Sequence, residues 1–475
     1  MKKMLLALAL VFTFTLAACS GSSPETPNGT AGDTENYLDI YHTNDLHGAI
    51  VEDDDSLGLG RMGNLMLTKK EETPENTLIL DGGDALQGSA LSNYYEGQSM
   101  IEIMNLIGYD AMVVGNHEFD WGLSTAAEYF KEGGIAEFPL LGANIIDDET
   151  GQIPENIDPY TVVEKGGRTI GIIGTIGYGL ESSIAPSAVE GYTFTDPKPI
   201  IKDHAETLRQ DEGADLVFVL SHDPDGINSY ALSLEGDAKI DAIFNAHSHQ
   251  NYAYTDGTTA VMQSGGYGSH VGQVTFTWDE FGLSGVSAQT LDERDSDLLQ
   301  DTHPDVMTLI NTYKDETDAI FNEPIISTPN EISRTELSIW IAGLMAHATG
   351  ADIGYQNGGG TRNSITEGDI TLGVLYDVWP FENQIKTVSI TGSQVTSQME
   401  YNVYHTDIET FESDTLYKIA TNDFVFDQDR APFMDGENIV ETEFYIRDLA
   451  LEELELQSEV FETFSVDNPY QIPVS

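Results

Sequence analysis

The chain has 475 residues, 80 acidic against 20 basic, for a formal charge of −60. That balance excludes nucleic acid as a partner, since a polyanion is gripped by lysine and arginine, and its self-repulsion must weaken the fold at low salt. The single cysteine, Cys19, excludes an intramolecular disulfide, while 40% hydrophobic residues over this length exceed what one core serves, so two domains are expected.

The chain opens with Met1-Lys2-Lys3-Met4, an apolar run from Leu5 to Phe12 and small residues before Cys19. This is the layout of an export signal. The run is too short to span a membrane, and no later segment approaches the ~20 apolar residues a span requires. Residues 1–18 are read as a signal peptide, and 19–36, rich in Ser, Gly, Pro and Thr, as a flexible tether. Leu16-Ala17-Ala18-Cys19 resembles the bacterial lipobox. The resemblance implies an exported protein, at the cell surface or in the periplasm, that meets the membrane only through a lipidated Cys19.

Five predicted strands follow, each ending in the same kind of residue. Tyr37 to Tyr41 leads into Asp45-Leu46-His47, Thr77 to Leu80 into Gly82-Gly83-Asp84, and Ala111 to Val114 into Gly115-Asn116-His117-Glu118-Phe119-Asp120. Leu216 to Leu220 leads into Ser221-His222, and Ile240 to Phe244 into His247-Ser248-His249. Packed strands fix the loops that follow them, which is where sites are assembled. Asp, His and Asn suit zinc, manganese, iron or cobalt, and the pairs Asp45/His47 and His247/His249 each face one side of an extended segment. Seven ligand candidates exceed one tetrahedral ion. Two ions ~3.5–4 Å apart need a bridging carboxylate, and Asp84, after two glycines that permit a tight turn, is the natural bridge. His42, His204, His270, His303, His347 and His405 lack this context and are read as surface or core histidines.

Together these residues resemble the calcineurin-like metallophosphoesterases, and Thr43-Asn44-Asp45-Leu46-His47-Gly48 with Gly115-Asn116-His117-Glu118-Phe119-Asp120 resemble the exported 5′-nucleotidase and UDP-sugar hydrolase branch. The resemblance implies an α/β protein, with a four-layer α/β/β/α catalytic sandwich over 37–300 and a second, smaller α/β substrate-binding domain. It implies two divalent ions (Zn, Mn or Co), one held by Asp45, His47, Asp84 and His249 and the other by Asp84, Asn116, His222 and His247. His117 would face the substrate phosphate. Asp120 can orient that imidazole and keep it protonated, or can cap a helix beginning near Leu123.

Residues 301–322 read as a polar linker helix, and 323–475 as the second domain. Arg334 and Arg362 are conspicuous where cations are scarce, and arginine grips anions bidentately. Asn357-Gly358-Gly359-Gly360-Thr361-Arg362, with Trp379-Pro380-Phe381, resembles the 5′-nucleotidase C-terminal domain. By that resemblance Asn357, Arg334 and Arg362 hold phosphate and ribose, while Phe381 and Phe424 sandwich the base. Asp429 is the ribose carboxylate, with Asp427 as competitor. The chain departs from the family in the turn Phe426 to Ala431, one residue short, and between Gly392 and Tyr417, where a hairpin is missing. The expected activity is hydrolysis of nucleoside 5′-phosphates. Its rivals are a 2′,3′-cyclic phosphodiesterase/3′-nucleotidase, a UDP-sugar hydrolase, and a nucleotide-binding surface protein with dead chemistry. Nothing in the residue pattern specifies an oligomer.

Overall fold

The strand Leu216–His222 shows why the run before its polar end is wholly apolar: every residue is buried, so it is covered on both faces. The structure, a computed structural model, describes residues 36–428 and 431–474. The expected signal peptide, Cys19 and nearly all of the tether lie outside the described residues, as does Asp429. In the first sheet, Tyr37–Thr43 is followed in space by Thr77–Asp81, Ala111–Val113 and Leu140–Leu141, each parallel to the last. On its other side lies the antiparallel hairpin Val271–Asp279 and Gly282–Leu291. A second six-stranded sheet runs Asn251–Thr255, Ala260–Ser264, Ala242–Asn245, Leu216–His222, Arg168–Ile176, Tyr160–Lys165, its four inner strands parallel.

Side chains alternate along each strand, so the two sheets share one core and own one each. Leu38, Ile40, Leu78 and Leu80 meet Phe218, Leu220, Phe244 and Met262 between the sheets. Ile79 points the other way, into a core with the helices Gly58–Glu72 and Gln98–Ile107. Val217 and Val219 pack outward against the helix Pro197–Gln210. The result is the α/β/β/α sandwich. Each fully buried Leu or Phe contributes ~1.5–3 kcal/mol, and the parallel strands of both sheets carry their carboxyl ends to one edge.

The helix Pro304–Phe321 is more than a polar linker. Val306, Ile310 and Tyr313 lie on one face and complete the core beneath Gly58–Glu72 and Gln98–Ile107. The second domain follows, packed with the first into one compact unit from Asn36 on. Its sheet runs Val403–His405, Ile353–Gln356, Leu416–Asn422, Gln384–Thr391, Glu437–Tyr445. Leu337, Trp340 and Ile341 of the helix Arg334–Thr349 share a core on one face with Leu449 and Leu454 of the helix Ile446–Val460. Tyr355, Val388 and Phe433 form a core on the other face. No helix among the described residues is long and apolar enough to cross a membrane.

Candidate active site

The five strand ends converge. Asp45, His47 and His249 bring ligand atoms within 4.8 Å of one another, as do Asp84, His222 and His247, and a third group of His47, Asp84 and His117 joins the two. Asp84 thus lies where the halves of the cluster meet, its Oδ2 3.2 Å from His222 Nε2 and its Oδ1 accepting the His117 amide at 2.7 Å. Asn116 Oδ1 stands 3.1 Å from His222 Nε2 and 2.8 Å from His247 Nδ1.

The backbone is bent to achieve this. Nine non-glycine residues of the described chain have positive φ, and Asp45, His47, Asp84, His247, His249 and Tyr267 are among them. Such conformations cost of order 1–3 kcal/mol each and persist only where the surroundings impose them. Here the amides of Asp45 and His47 donate to the carbonyls of Gly83 and Asp84, both at 2.9 Å, and Tyr267 N donates to Asp45 O at 2.7 Å. Gly83 has φ +85°, and a Cβ there would fall 2.7 Å from Gly115 N. Glu118, fully buried, accepts the amides of Asp84, Ala85 and Gly115 at 2.7–3.1 Å and so fastens the Asp84 loop to the Asn116 loop.

The donor set fits divalent ions. His47 Nδ1–H donates to the Gln87 carbonyl (3.2 Å) and His222 Nδ1–H to the Gly82 carbonyl (2.8 Å), which turns both Nε2 atoms inward. His47 Nε2 then meets His249 Nε2 at 3.2 Å. Burial holds His47 well below the usual histidine range and lowers His247 and His249 to about 4, so their lone pairs are free. Burial pushes Asp45 up to about 7. It opposes charge on His222 too, but the charge and hydrogen bond of Asp84, with Asp45 behind them, drive His222 up to about 10. Inward lone pairs among buried carboxylates call for a cation at the centre.

His117 stands at the rim. Its Nδ1 donates to Asp120 Oδ2 at 2.8 Å. Burial works against a charged imidazole, yet Asp120 and Asp84 outweigh it and raise the His117 pKa. Asp120 does not cap the helix Leu123–Glu128; that position belongs to Gly122.

From the second domain, Asn357, Arg362, Phe381 and Phe424 line a cavity of about 700 Å³ together with Asn116, His117, Asp120, His247 and His249. Phe381 stacks on His117, and the Arg362 guanidinium lies 5.8 Å from the Phe381 ring centre. Arg334 stands apart: exposed in the first turn of its helix, it donates Nε to the Thr361 carbonyl at 3.1 Å and braces the backbone before Arg362. Tyr267 is a site residue that the sequence reading does not single out. Its ring stacks on His47 at 4.8 Å and its hydroxyl accepts from Arg362 Nη2. The signal is present in the chain: Ala260–Ser264 is a further parallel strand, and Gly265-Gly266-Tyr267-Gly268 follows it. Gln87, likewise missed, borders the cavity while its Nε2 is buried without a partner.

Residues 38–251 match the calcineurin-like phosphoesterase family and residues 316–411 the 5′-nucleotidase C-terminal domain. The chain belongs to this family of metal-dependent phosphoester hydrolases. A 5′-nucleotidase of Vibrio parahaemolyticus is 27% identical over 440 residues, 80% of this chain and 77% of that protein. A trifunctional nucleotide phosphoesterase protein of Bacillus subtilis is 26% identical over 80% of this chain, which spans only 28% of that relative's length. The fold is shared with a 5′-nucleotidase precursor from Thermus thermophilus, with a TM-score of 0.74 at 22% identity, over 88% of this chain and 96% of that one.

Proposed function

We propose that the chain hydrolyses extracellular nucleoside 5′-monophosphates to nucleoside and phosphate. The observation that carries this reading is the meeting of Arg362 and Phe381 with His117 at the ligand cluster: a cation for phosphate, a flat apolar surface for a base and a proton donor line one cavity. In this reading Asp45, His47, Asp84 and His249 hold one divalent ion, Zn, Mn or Co, and Asp84, Asn116, His222 and His247 hold the second. When bound, such ions neutralise a phosphate dianion and supply a metal-activated water.

The chain's own groups do the rest. Arg362 takes phosphate oxygens bidentately. His117 donates its proton toward the transferring phosphoryl group or the leaving oxygen, and Asp120 holds the imidazole charged and aimed, an acid–base contribution of ~10²–10⁴-fold. Asn357 and Asp429 are assigned to the ribose, and Phe381 with Phe424 to the base. Arg334 acts through Thr361 on the position of Arg362. The same reading puts the protein outside the cytoplasm, held by lipid on Cys19; a Cys19→Ala variant should leave the membrane fraction.

The deciding experiment is a set of initial rates on AMP, 3′-AMP, 2′,3′-cyclic AMP and UDP-glucose after chelation and repletion with Mn²⁺, Co²⁺ or Zn²⁺. AMP should be turned over fastest. A dominant rate on the cyclic nucleotide or the sugar nucleotide would transfer the assignment to that rival, and tight AMP binding without turnover would make the chain a binding protein.

A further inference from the structure

We infer that Arg447, which does not line the active-site cavity, positions Phe381 and thereby sets how well the enzyme holds a base; this rests on the nucleotide reading above. Phe381 belongs to the loop Trp379 to Asn383, between the helix Leu372–Val378 and the strand Gln384–Thr391. A five-residue loop has no ladder of its own to fix a side chain. The neighbours supply that fixation.

Arg447 is 5% exposed in the first turn of the helix Ile446–Val460. Its Nη1 donates to the Trp379 carbonyl at 3.2 Å, its Nη2 pairs with Glu382 Oε1, and its guanidinium lies 3.7 Å from the centre of the Tyr376 ring. The two anchors lie on either side of Phe381 in the chain. Further bonds complete the frame. Asn93 of the catalytic domain donates to the Pro380 carbonyl (3.0 Å), Ile446 N to the Asn383 carbonyl (3.0 Å), and Asn383 Nδ2 to Asp423 (2.9 Å). The residues around Phe381 are fastened, and its ring is turned to His117.

Only a planar fork can serve two acceptors in different directions while stacking on an aromatic face. A lysine would keep the charge and lose the span. Arg447 is therefore a positioning residue: it touches neither phosphate nor base and acts through the loop.

The test measures KM and kcat of Arg447→Lys on AMP and on p-nitrophenyl phosphate, which has no base, with the metal-loaded full chain. The KM for AMP should rise about fivefold, a part of what losing a stacking ring costs, while both constants for p-nitrophenyl phosphate stay within about twofold. In a Phe381→Ala background the substitution should add nothing, because its effect passes through that ring. Glu382→Gln, whose parent side chain is 57% exposed and so can be changed without unfolding the protein, should shift the AMP KM in the same direction by less. Parallel losses on both substrates, a full effect of Arg447→Lys without Phe381, or an unchanged AMP KM in both variants while the wild type prefers AMP, would each overturn the inference alone. A wild type indifferent to the base would overturn the nucleotide reading and the inference with it.

Discussion

Phe381 lies over His117 with ring centres 5.6 Å apart and planes 16° from parallel, so one side chain from each domain closes the same spot. A base entering the cavity must use that apolar face or displace it. Phe381→Ala should raise KM for AMP roughly tenfold or more, since base stacking on an aromatic is worth ~1–3 kcal/mol, and should spare p-nitrophenyl phosphate. Steady-state kinetics on both substrates check this. Equal losses on the two would make Phe381 a packing residue.

Much of the site is legible in the sequence because strands of period two, buried on both faces, leave polar residues only at their ends. His47, Asp84 and His222 can be read that way. Tyr267 escapes because a tyrosine after glycines has no ligand chemistry to betray it; its role comes from Arg362, a residue 95 positions away brought to it by domain packing. The helix Pro304–Phe321 reads as polar because four charged residues crowd between Lys314 and Asp318, although Val306, Ile310 and Tyr313 recur at helical spacing. Arg334 and Arg362 look alike in sequence. Only the capping position of Ser333, whose hydroxyl accepts from Glu336 N, commits Arg334 to a helix start on the outside.

Asp84 is the carboxylate that links the two halves of the ligand cluster, grouped with His222 and His247 on one side and with His47 and His117 on the other, and it also accepts the His117 amide. Asp84→Ala should abolish turnover and leave fewer than two ions per chain in elemental analysis, whereas His117→Ala should keep both ions and lower kcat. Removing metal from the wild type with a chelator should lower its melting temperature, because an ion bound only by the folded state stabilises it. Two ions and normal turnover in Asp84→Ala would end its assignment as the bridge.

The Tyr267 hydroxyl accepts from Arg362, whose guanidinium lies 5.7 Å from the Tyr267 ring centre and 5.8 Å from that of Phe381. Tyr267→Phe keeps the ring on His47 and removes the acceptor. The loss of one hydrogen bond to a charged group, ~1.5–3 kcal/mol at most, should lower kcat/KM by about tenfold on AMP and p-nitrophenyl phosphate alike, because Arg362 serves the phosphate common to both. A loss confined to AMP would move Arg362 from phosphate to nucleoside.

The raised pKa of His117 gives a pH test with a definite sign. The imidazolium is the donating form, and it persists above the usual histidine range because Asp120 and Asp84 outweigh burial. Asp120→Asn removes the nearer charge, so the alkaline limb of the kcat profile should move to lower pH. Stability follows the same linkage: a group raised on folding contributes fully below its unfolded pKa of about 6.5 and loses that contribution as pH rises through the folded value. The melting penalty of Asp120→Asn should therefore be larger near pH 6 than near pH 9. An alkaline limb that stays in place would remove His117 as the acid.

The charge of −60 sets the protein against its own anionic substrate. At 0.01 M salt the screening length is ~30 Å, so the whole acidic surface repels both an approaching nucleotide and itself; at 1 M it is ~3 Å, and only contact partners are felt. Arg362 acts at contact distance within the cavity, where salt screens little, while most of the carboxylates that oppose it are remote. Raising KCl or NaCl should then raise both the melting temperature and kcat/KM for AMP up to high concentration, the reverse of an enzyme that draws its substrate down a basic funnel. A salt series of melting temperature and initial rate at fixed metal measures both. A steady fall of the two from about 0.05 M upward would mean that the remote repulsion is already neutralised at the surface.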